Sequence, residues 1–303
     1  MEYIDKEKYR EDFNVYSRDY LKDRKNSRTG LFNPRLADDR TYDKFSEKKY
    51  KKTAHPQGSG TEGWLKILLN ETKGRCCYCM RRLPVDKISI EHLVPENFGD
   101  LIEIDEFNYY ANKSQDIKEN VVLGSVFDNN AHMQRIDVDK IKQFPHLIAH
   151  SNLFPACQND TSGCSCNNHR GNKRIIPLML MNDIKANIVY TEDGEMELLY
   201  PNEDGMVEET KKHLDLNTDR LKTIRELWYK FSRKGITSKN CRKLNFVEID
   251  GRIRKALDLK EDDIIPDRFQ DYVREENGLC RYFELFLRYD WFYHYYSTNY
   301  PIK

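Results

Sequence analysis

Apolar side chains recur at helical spacing in several stretches of the chain. Tyr9, Phe13, Tyr16 and Tyr20 lie roughly a turn apart, which predicts a helix over residues 5–24. Residues 61–72 read as another helix. Thr61 can cap it, Trp64, Leu65, Ile67, Leu68 and Leu69 form its apolar face, and Gly74 stops it. Downstream, Leu214, Leu216, Leu221, Ile224, Leu227, Trp228 and Phe231 mark residues 211–234 as helical, with a fresh start offered by Asn217-Thr218-Asp219. Residues 246–259 read as a further helix. Residues 184–201 are different. There Ile188-Val189-Tyr190 and Met196-Glu197-Leu198-Leu199 flank Glu192-Asp193-Gly194-Glu195, and Asp-Gly at such a junction predicts a hairpin. Residues 279–296 carry Tyr282, Phe283, Phe286, Tyr289, Trp291, Phe292, Tyr293, Tyr295 and Tyr296 on nearly all sides. That density suits a buried helix or a surface that meets a partner or stacks bases, and aromatic residues at helical spacing are more often core.

The pattern predicts an α+β protein that is mostly helical. It has an N-terminal helical and extended region (1–60), whose last residues, 55–60, read as a loop. A central region (61–180) follows, broken by a weakly patterned and partly helical insertion at about 97–150, and then the hairpin with its following helices (181–303).

Charge narrows the function less than it narrows the location. Lys and Arg total 50 and Asp and Glu total 50, so net charge argues neither for nor against nucleic acid. Basic clusters at Lys22, Arg24, Lys25 and Arg28, and at Lys48, Lys49, Lys51 and Lys52, suit phosphate contacts, although surface lysines are more often a solvated face. No apolar run reaches membrane-spanning length, and Met1-Glu2-Tyr3-Ile4-Asp5-Lys6 lacks the apolar core of a signal peptide. A cytoplasmic protein is expected. The absence of Gly-x4-Gly-Lys-Ser/Thr excludes a P-loop ATPase.

The chemistry concentrates in cysteines. Six of the 8 lie between Cys76 and Cys166, and in a cytosolic chain such crowding reads as metal ligation rather than disulfide bonding. Cys76-x2-Cys79 is a knuckle that offers two thiolates from one tight turn. Cys157 with either Cys164 or Cys166 completes a tetrahedral set for structural Zn²⁺, while Cys77 points elsewhere. Cys241 and Cys280 read as core thiols.

Between and beside these cysteines stand Glu91-His92-x2-Pro95, Asn152-Leu153 and Cys166-Asn167-x2-Arg170-Gly171. In this order, with the knuckle and Cys157, they resemble an HNH endonuclease with a zinc-knuckle ββα-metal core. The family usually ends its motif Cys-Asn-x2-Lys-Gly, and here Arg170 takes the lysine's place. Further stretches are similar to PtuB-type nucleases, the HNH partners of an ATPase in Septu and retron-associated anti-phage systems. These are Leu153-Phe154-Pro155-Ala156-Cys157, Gly171-Asn172-Lys173, Pro177-Leu178, the hairpin and His213-Leu214-Asp215-Leu216-Asn217-x3-Leu221-x3-Arg225.

The resemblance implies metal-dependent hydrolysis of phosphodiester bonds in nucleic acid, with DNA expected ahead of RNA and RNA left open, as the nuclease effector of antiviral defence. It implies a PtuA-type ATPase partner and, in retron systems, an RNA–DNA and a reverse transcriptase. His92 becomes the general base, its unperturbed pKa being near neutrality. Glu91 and Asn167 become ligands of a catalytic Mg²⁺ or Mn²⁺, with Asn168 and His169 able to replace or supplement Asn167. Asn152 braces the loop that holds His92, and Arg170 contacts phosphate. Of the neighbouring His132, His146 and His150, all read as structural, and His150 is expected to come nearest the site. The competing reading is a non-catalytic zinc-dependent module that binds nucleic acid or protein, with the Glu-His pair incidental.

Overall fold

The computed structural model describes residues 1–32, 36–37, 40–47, 49, 63–83, 88–158, 166–237, 244–273, 275–276, 279–280 and 283–302. Helix α1 (Arg10–Arg24) starts later than the tyrosine pattern predicts, and it buries Phe13, Tyr16, Tyr20 and Leu21. Helices α2 (Arg40–Ser46) and α3 (Gly63–Glu71) pack on it through rings. Phe45 stacks on Trp64 at 5.1 Å, and Phe13 meets Trp64 edge-on at 5.6 Å. Gly74 ends α3 as expected: it takes φ +71°, a conformation that favours glycine, and its N–H donates to Leu69 O at 2.7 Å. Thr61, the expected cap, and the 55–60 loop lie outside the described residues, as do Lys48, Lys51 and Lys52.

Strand β1 (Ile88–His92) comes next, and then the insertion. The insertion is a helical subassembly in its own right. It comprises α4 (Glu103–Lys113), α5 (Gln115–Asn120), β2 (Val121–Val122), α6 (Gly124–Asn129), α7 (Ala131–Arg135) and β3 (Phe144–Pro145), with β2 and β3 paired in parallel. It returns the chain as β4 (Leu153–Cys157), antiparallel to β1 in a register running from Ile88↔Cys157 to His92↔Leu153. The short helix α8 (Cys166–Arg170) packs against both strands of this ribbon.

After α9 (Ile184–Asn187) the expected hairpin forms from β5 (Ile188–Tyr190) and β6 (Met196–Leu198). Its glycine is obligatory: Gly194 has φ +85°, and a Cβ there would fall 2.0 Å from Lys222 O. The 211–234 stretch divides into α10 (Met206–Leu214) and α11 (Asp219–Arg233). Asp215 adopts a left-handed conformation at the break, and Thr218 caps the second helix from Leu221 N–H. Asn217 and Arg225 then tie the hairpin down, Asn217 bonding Met196 N and O, and Arg225 donating to Gly194 O and Leu216 O. Helix α12 (Phe246–Ala256) opens with a capping box between Asn245 and Glu248, and α13 (Asp267–Gln270) follows.

The aromatic stretch departs from the single helix expected over residues 279–296. It runs through the two-residue strands β7 (Glu275–Glu276) and β8 (Leu279–Cys280), a π-helical turn at Phe283–Arg288, and α14 (Trp291–Asn299). The break falls where Asp290 is held in a fork by Arg82 at 2.9 and 2.7 Å, while Arg82 N–H bonds Arg288 O at 2.7 Å. Rings of α14 meet Tyr190, Trp228 and Tyr229 edge-on, which makes its buried side, Phe292 and Tyr296, part of the core.

One hydrophobic core runs through all three sequence regions. The Met1 amino group donates to Tyr190 OH of the hairpin at 2.7 Å, and Lys6 reaches α3 and β4. No helix among the described residues is long and apolar enough to cross a membrane.

Candidate metal centre and histidine site

The knuckle is shaped by backbone. Cys76 N–H donates to Arg81 O at 2.8 Å, Cys77 N–H to Pro155 O at 3.0 Å, and Met80 takes φ +62° to close the turn. This seats Cys76 and Cys79 against the end of β4, where Cys157 stands. Cys166 opens α8 and turns its own N–H to Cys157 Sγ at 3.4 Å. The sulfurs of Cys76, Cys79, Cys157 and Cys166 all lie within 4.8 Å of one another, and all four residues are buried. Cys157 Sγ is 3.8 Å from Cys76 Sγ and 3.9 Å from Cys79 Sγ. A tetrahedral zinc with Zn–S bonds near 2.3 Å requires sulfur separations of about 3.8 Å, so the set fits the ion. Contacts with Cys157, Cys76 and Cys79, with burial adding to them, push the Cys166 thiol well above its ordinary value. A cation would let four thiolates this close and this buried coexist. Cys164 and Cys241 lie outside the described residues.

The ribbon carries this cluster at one end and His92 at the other, about 13 Å apart by strand rise. Helix α8 runs along the ribbon between them. Its Asn167 donates through Nδ2 to Ser89 Oγ at 2.6 Å and Ile90 O at 3.3 Å. Arg170, near the far end, donates to His92 O at 2.6 Å, Leu93 O at 2.5 Å, Tyr110 OH at 3.0 Å and Lys173 O at 3.1 Å, and it pairs with the Glu91 carboxylate. Successive strand residues face opposite sides. Ser89 and Glu91 face α8, whereas His92 faces Tyr42, whose ring meets it edge-on at 4.4 Å, and the Leu147 carbonyl.

His92 Nε2 lies 3.3 Å from Leu147 O, so this nitrogen carries the proton and Nδ1 keeps the lone pair. Glu96 Oε2 is 3.9 Å from Nδ1. Burial pushes the imidazole down to about 4. Asn152 grips the loop after His92. Its Oδ1 accepts from Val94 N–H at 2.6 Å, and its Nδ2 donates to Val94 O at 2.9 Å and His146 O at 2.8 Å.

Some expected residues are placed for other work. Arg170 is 1% exposed with every guanidinium nitrogen engaged by protein. It is a brace under His92, not a group that a backbone phosphate can reach. His169 is exposed and points to Asp215 at 3.5 Å, and Asn168 is exposed. Among the described residues, the cysteines are the one group of three or more His, Cys, Asp or Glu side chains gathered closely enough for a metal ion. His150 does not approach His92: its ring stacks on Phe13 at 4.8 Å and its Nε2 lies 2.7 Å from Glu71 Oε1. His146 comes nearer, taking the Asn152 bond on its carbonyl and the Gly124 N–H on Nδ1 at 3.1 Å. In the basic N-terminal cluster, Lys22 pairs with Asp139 at 2.7 Å.

The sequence reading missed Tyr42, Ser89, Glu96, Tyr110 and the Leu147 carbonyl. Ser89 carried a signal, since it shares the Glu91 face of the strand, whereas Glu96 stands four residues beyond His92 in an irregular segment that no periodicity marks. Comparison with protein-family models, with curated proteins and with solved structures gave no match.

Proposed function

We propose that the chain is a metal-dependent endonuclease of the HNH kind, with DNA as its substrate. One observation supports this above the others. His92 ends the first strand of an antiparallel ribbon, Asn152 holds the loop that follows it, and Asn167 stands on a helix that begins at a zinc-site cysteine. That is the strand–strand–helix order expected of a ββα-metal core.

In this reading His92 takes the proton of the attacking water on Nδ1, with Nε2–H anchored on Leu147 O. Burial keeps the ring neutral at cellular pH, and an approaching phosphate anion raises its proton affinity. Asn152 holds Val94 from both sides, so the backbone that presents His92 cannot drift. A Mg²⁺ or Mn²⁺ ion held by Glu91 and Asn167 would supply Lewis-acid polarisation of the phosphate. To serve as ligands, Glu91 would exchange its pairing with Arg170 for the ion, and His169 would leave Asp215. The cysteine set uses all four positions of its ion and serves as scaffold.

Incubation of the full chain with supercoiled plasmid and Mg²⁺ or Mn²⁺ tests the proposal. Nicking is expected, and His92→Ala should slow it by about a hundredfold or more. Equal rates for the two proteins would remove His92 as the base. The ATPase partner implied by the same reading should co-purify with the chain from its native cell.

The Glu91–Arg170 pair and the buried His92 ring favour a second reading, a zinc-stapled module that binds without cutting. It prevails if zinc is retained, Mn²⁺ titration finds no additional site, and no nicking occurs with or without the partner.

A further inference from the structure

Under β4 lies a charged cluster that the chemistry above does not use. Lys6 is 2% exposed, and its ammonium donates to Glu71 Oε2 at 2.8 Å and to Leu153 O at 2.8 Å. It also sits over the Phe154 ring, 4.3 Å from the centroid. The other Glu71 oxygen lies 2.7 Å from His150 Nε2, and Phe13 covers His150. Three segments distant in sequence therefore meet here: the N-terminal stretch, the last residue of α3, and the turn at His150–Asn152.

Taking Lys6 and Glu71 out of water costs about as much as their attraction returns. An apolar pair would hold the fold as well. What an apolar pair cannot do is bond the Leu153 carbonyl. Leu153 stands opposite His92 in the ribbon and directly follows Asn152, whose carbonyl and side chain take the Leu93 and Val94 N–H groups. Burial pushes the Glu71 carboxyl up, but Lys6 and His150 more than offset it and hold it below its ordinary value. Glu71 is thus ionised at neutral pH.

We propose that Lys6, paired with Glu71, is a positioning residue of the His92 site: it fixes β4 at Leu153 and through Asn152 fixes the loop behind His92. The catalytic half of this proposal rests on the nuclease reading, while the structural half does not. Lys6→Met removes the ammonium but leaves Glu71 buried with His150 alone. The double variant Lys6→Met/Glu71→Gln removes both charges and keeps a group for His150 to bond.

The experiment compares amide hydrogen exchange and cleavage kinetics of the full-length zinc-loaded double variant with wild type. Exchange at Leu93 and Val94 should rise by about tenfold or more, the worth of a single hydrogen bond, while α11 amides and zinc content stay as in wild type and Tm falls only by the few degrees that one unbonded carbonyl costs. The kcat for plasmid nicking should fall with KM little changed. Unchanged exchange at Leu93 and Val94 overturns the proposal. Global unfolding of the double variant overturns it too, since the pair would then carry stability rather than orientation. A wild-type chain that never nicks defeats the nuclease reading alone, and the exchange data still decide the clamp.

Discussion

At one end of the β1/β4 ribbon Cys76, Cys79, Cys157 and Cys166 converge through their side chains. At the other end His92 is held by the Leu147 carbonyl, by Arg170 on its own backbone oxygen, and by Asn152 on the loop beyond. The cysteine end is built to take a cation, which would balance the repulsion between four buried thiolates. The histidine end closes through hydrogen bonds from Asn152, from the His92 ring and from the Arg170 guanidinium, which is paired with Glu91. The two ends share strands and the helix α8 but not a source of stability, so each should fail in its own way.

The largest effect belongs to the cysteines. Cys79→Ser leaves three thiols where four are needed. Structural zinc contributes apparent binding free energies of about 10–16 kcal/mol in small domains, so the variant should lose its zinc and its cooperative thermal transition. Elemental analysis and circular dichroism check this. Full zinc content in the variant would mean that the cluster does not depend on Cys79.

Asn152→Ala strikes the other end. It orphans Val94 N–H, Val94 O and His146 O, all bonded by one side chain in a residue with no exposure. Each orphaned buried group costs about 1–3 kcal/mol, so urea unfolding should register a loss of about 3–5 kcal/mol. Zinc should remain bound. Release of zinc by Asn152→Ala would show that the two ends are a single unit.

The same contrast explains what could be read in the sequence. Cys76-x2-Cys79 is local, and a tight turn fixes its geometry whatever surrounds it. The hairpin and the capped helices are local too: Asp193-Gly194, Thr218 and the Asn245/Glu248 pair act within a few residues. His92 and Asn152 were legible as a motif, but their partners were not. Leu147 contributes only a backbone oxygen, which no residue type announces. Lys6, Glu71 and His150 meet across most of the N-terminal half, and nothing in their spacing marks them. Arg170 was legible as a cation but not as a buried one, because its acceptors are carbonyls on another element. The aromatic C-terminal stretch had the period of one helix, and the long-range Arg82–Asp290 fork decided where it breaks.

A smaller effect separates the two ends by pH. His146 is buried, its Nδ1 accepts from Gly124 N–H, and burial with His92 nearby pushes its pKa from 6.5 down to about 3. A histidine kept neutral in the fold but protonated in the unfolded chain opposes folding in acid. Its full stability is present above pH 6.5 and is lost progressively as pH falls toward about 3. Within that window the loss is about 1.4 kcal/mol per pH unit. His146→Asn keeps an acceptor for Gly124 and cannot titrate, so the stability gap between wild type and variant should narrow by about that slope as pH is lowered below neutrality. The cysteine end also responds to acid, since protons compete with zinc for thiolates, but it does so equally in both proteins and cancels in the difference. Urea unfolding at several pH values measures the gap. Parallel curves would mean that His146 does not contribute to the acid sensitivity, leaving it to the metal end and the other buried histidines.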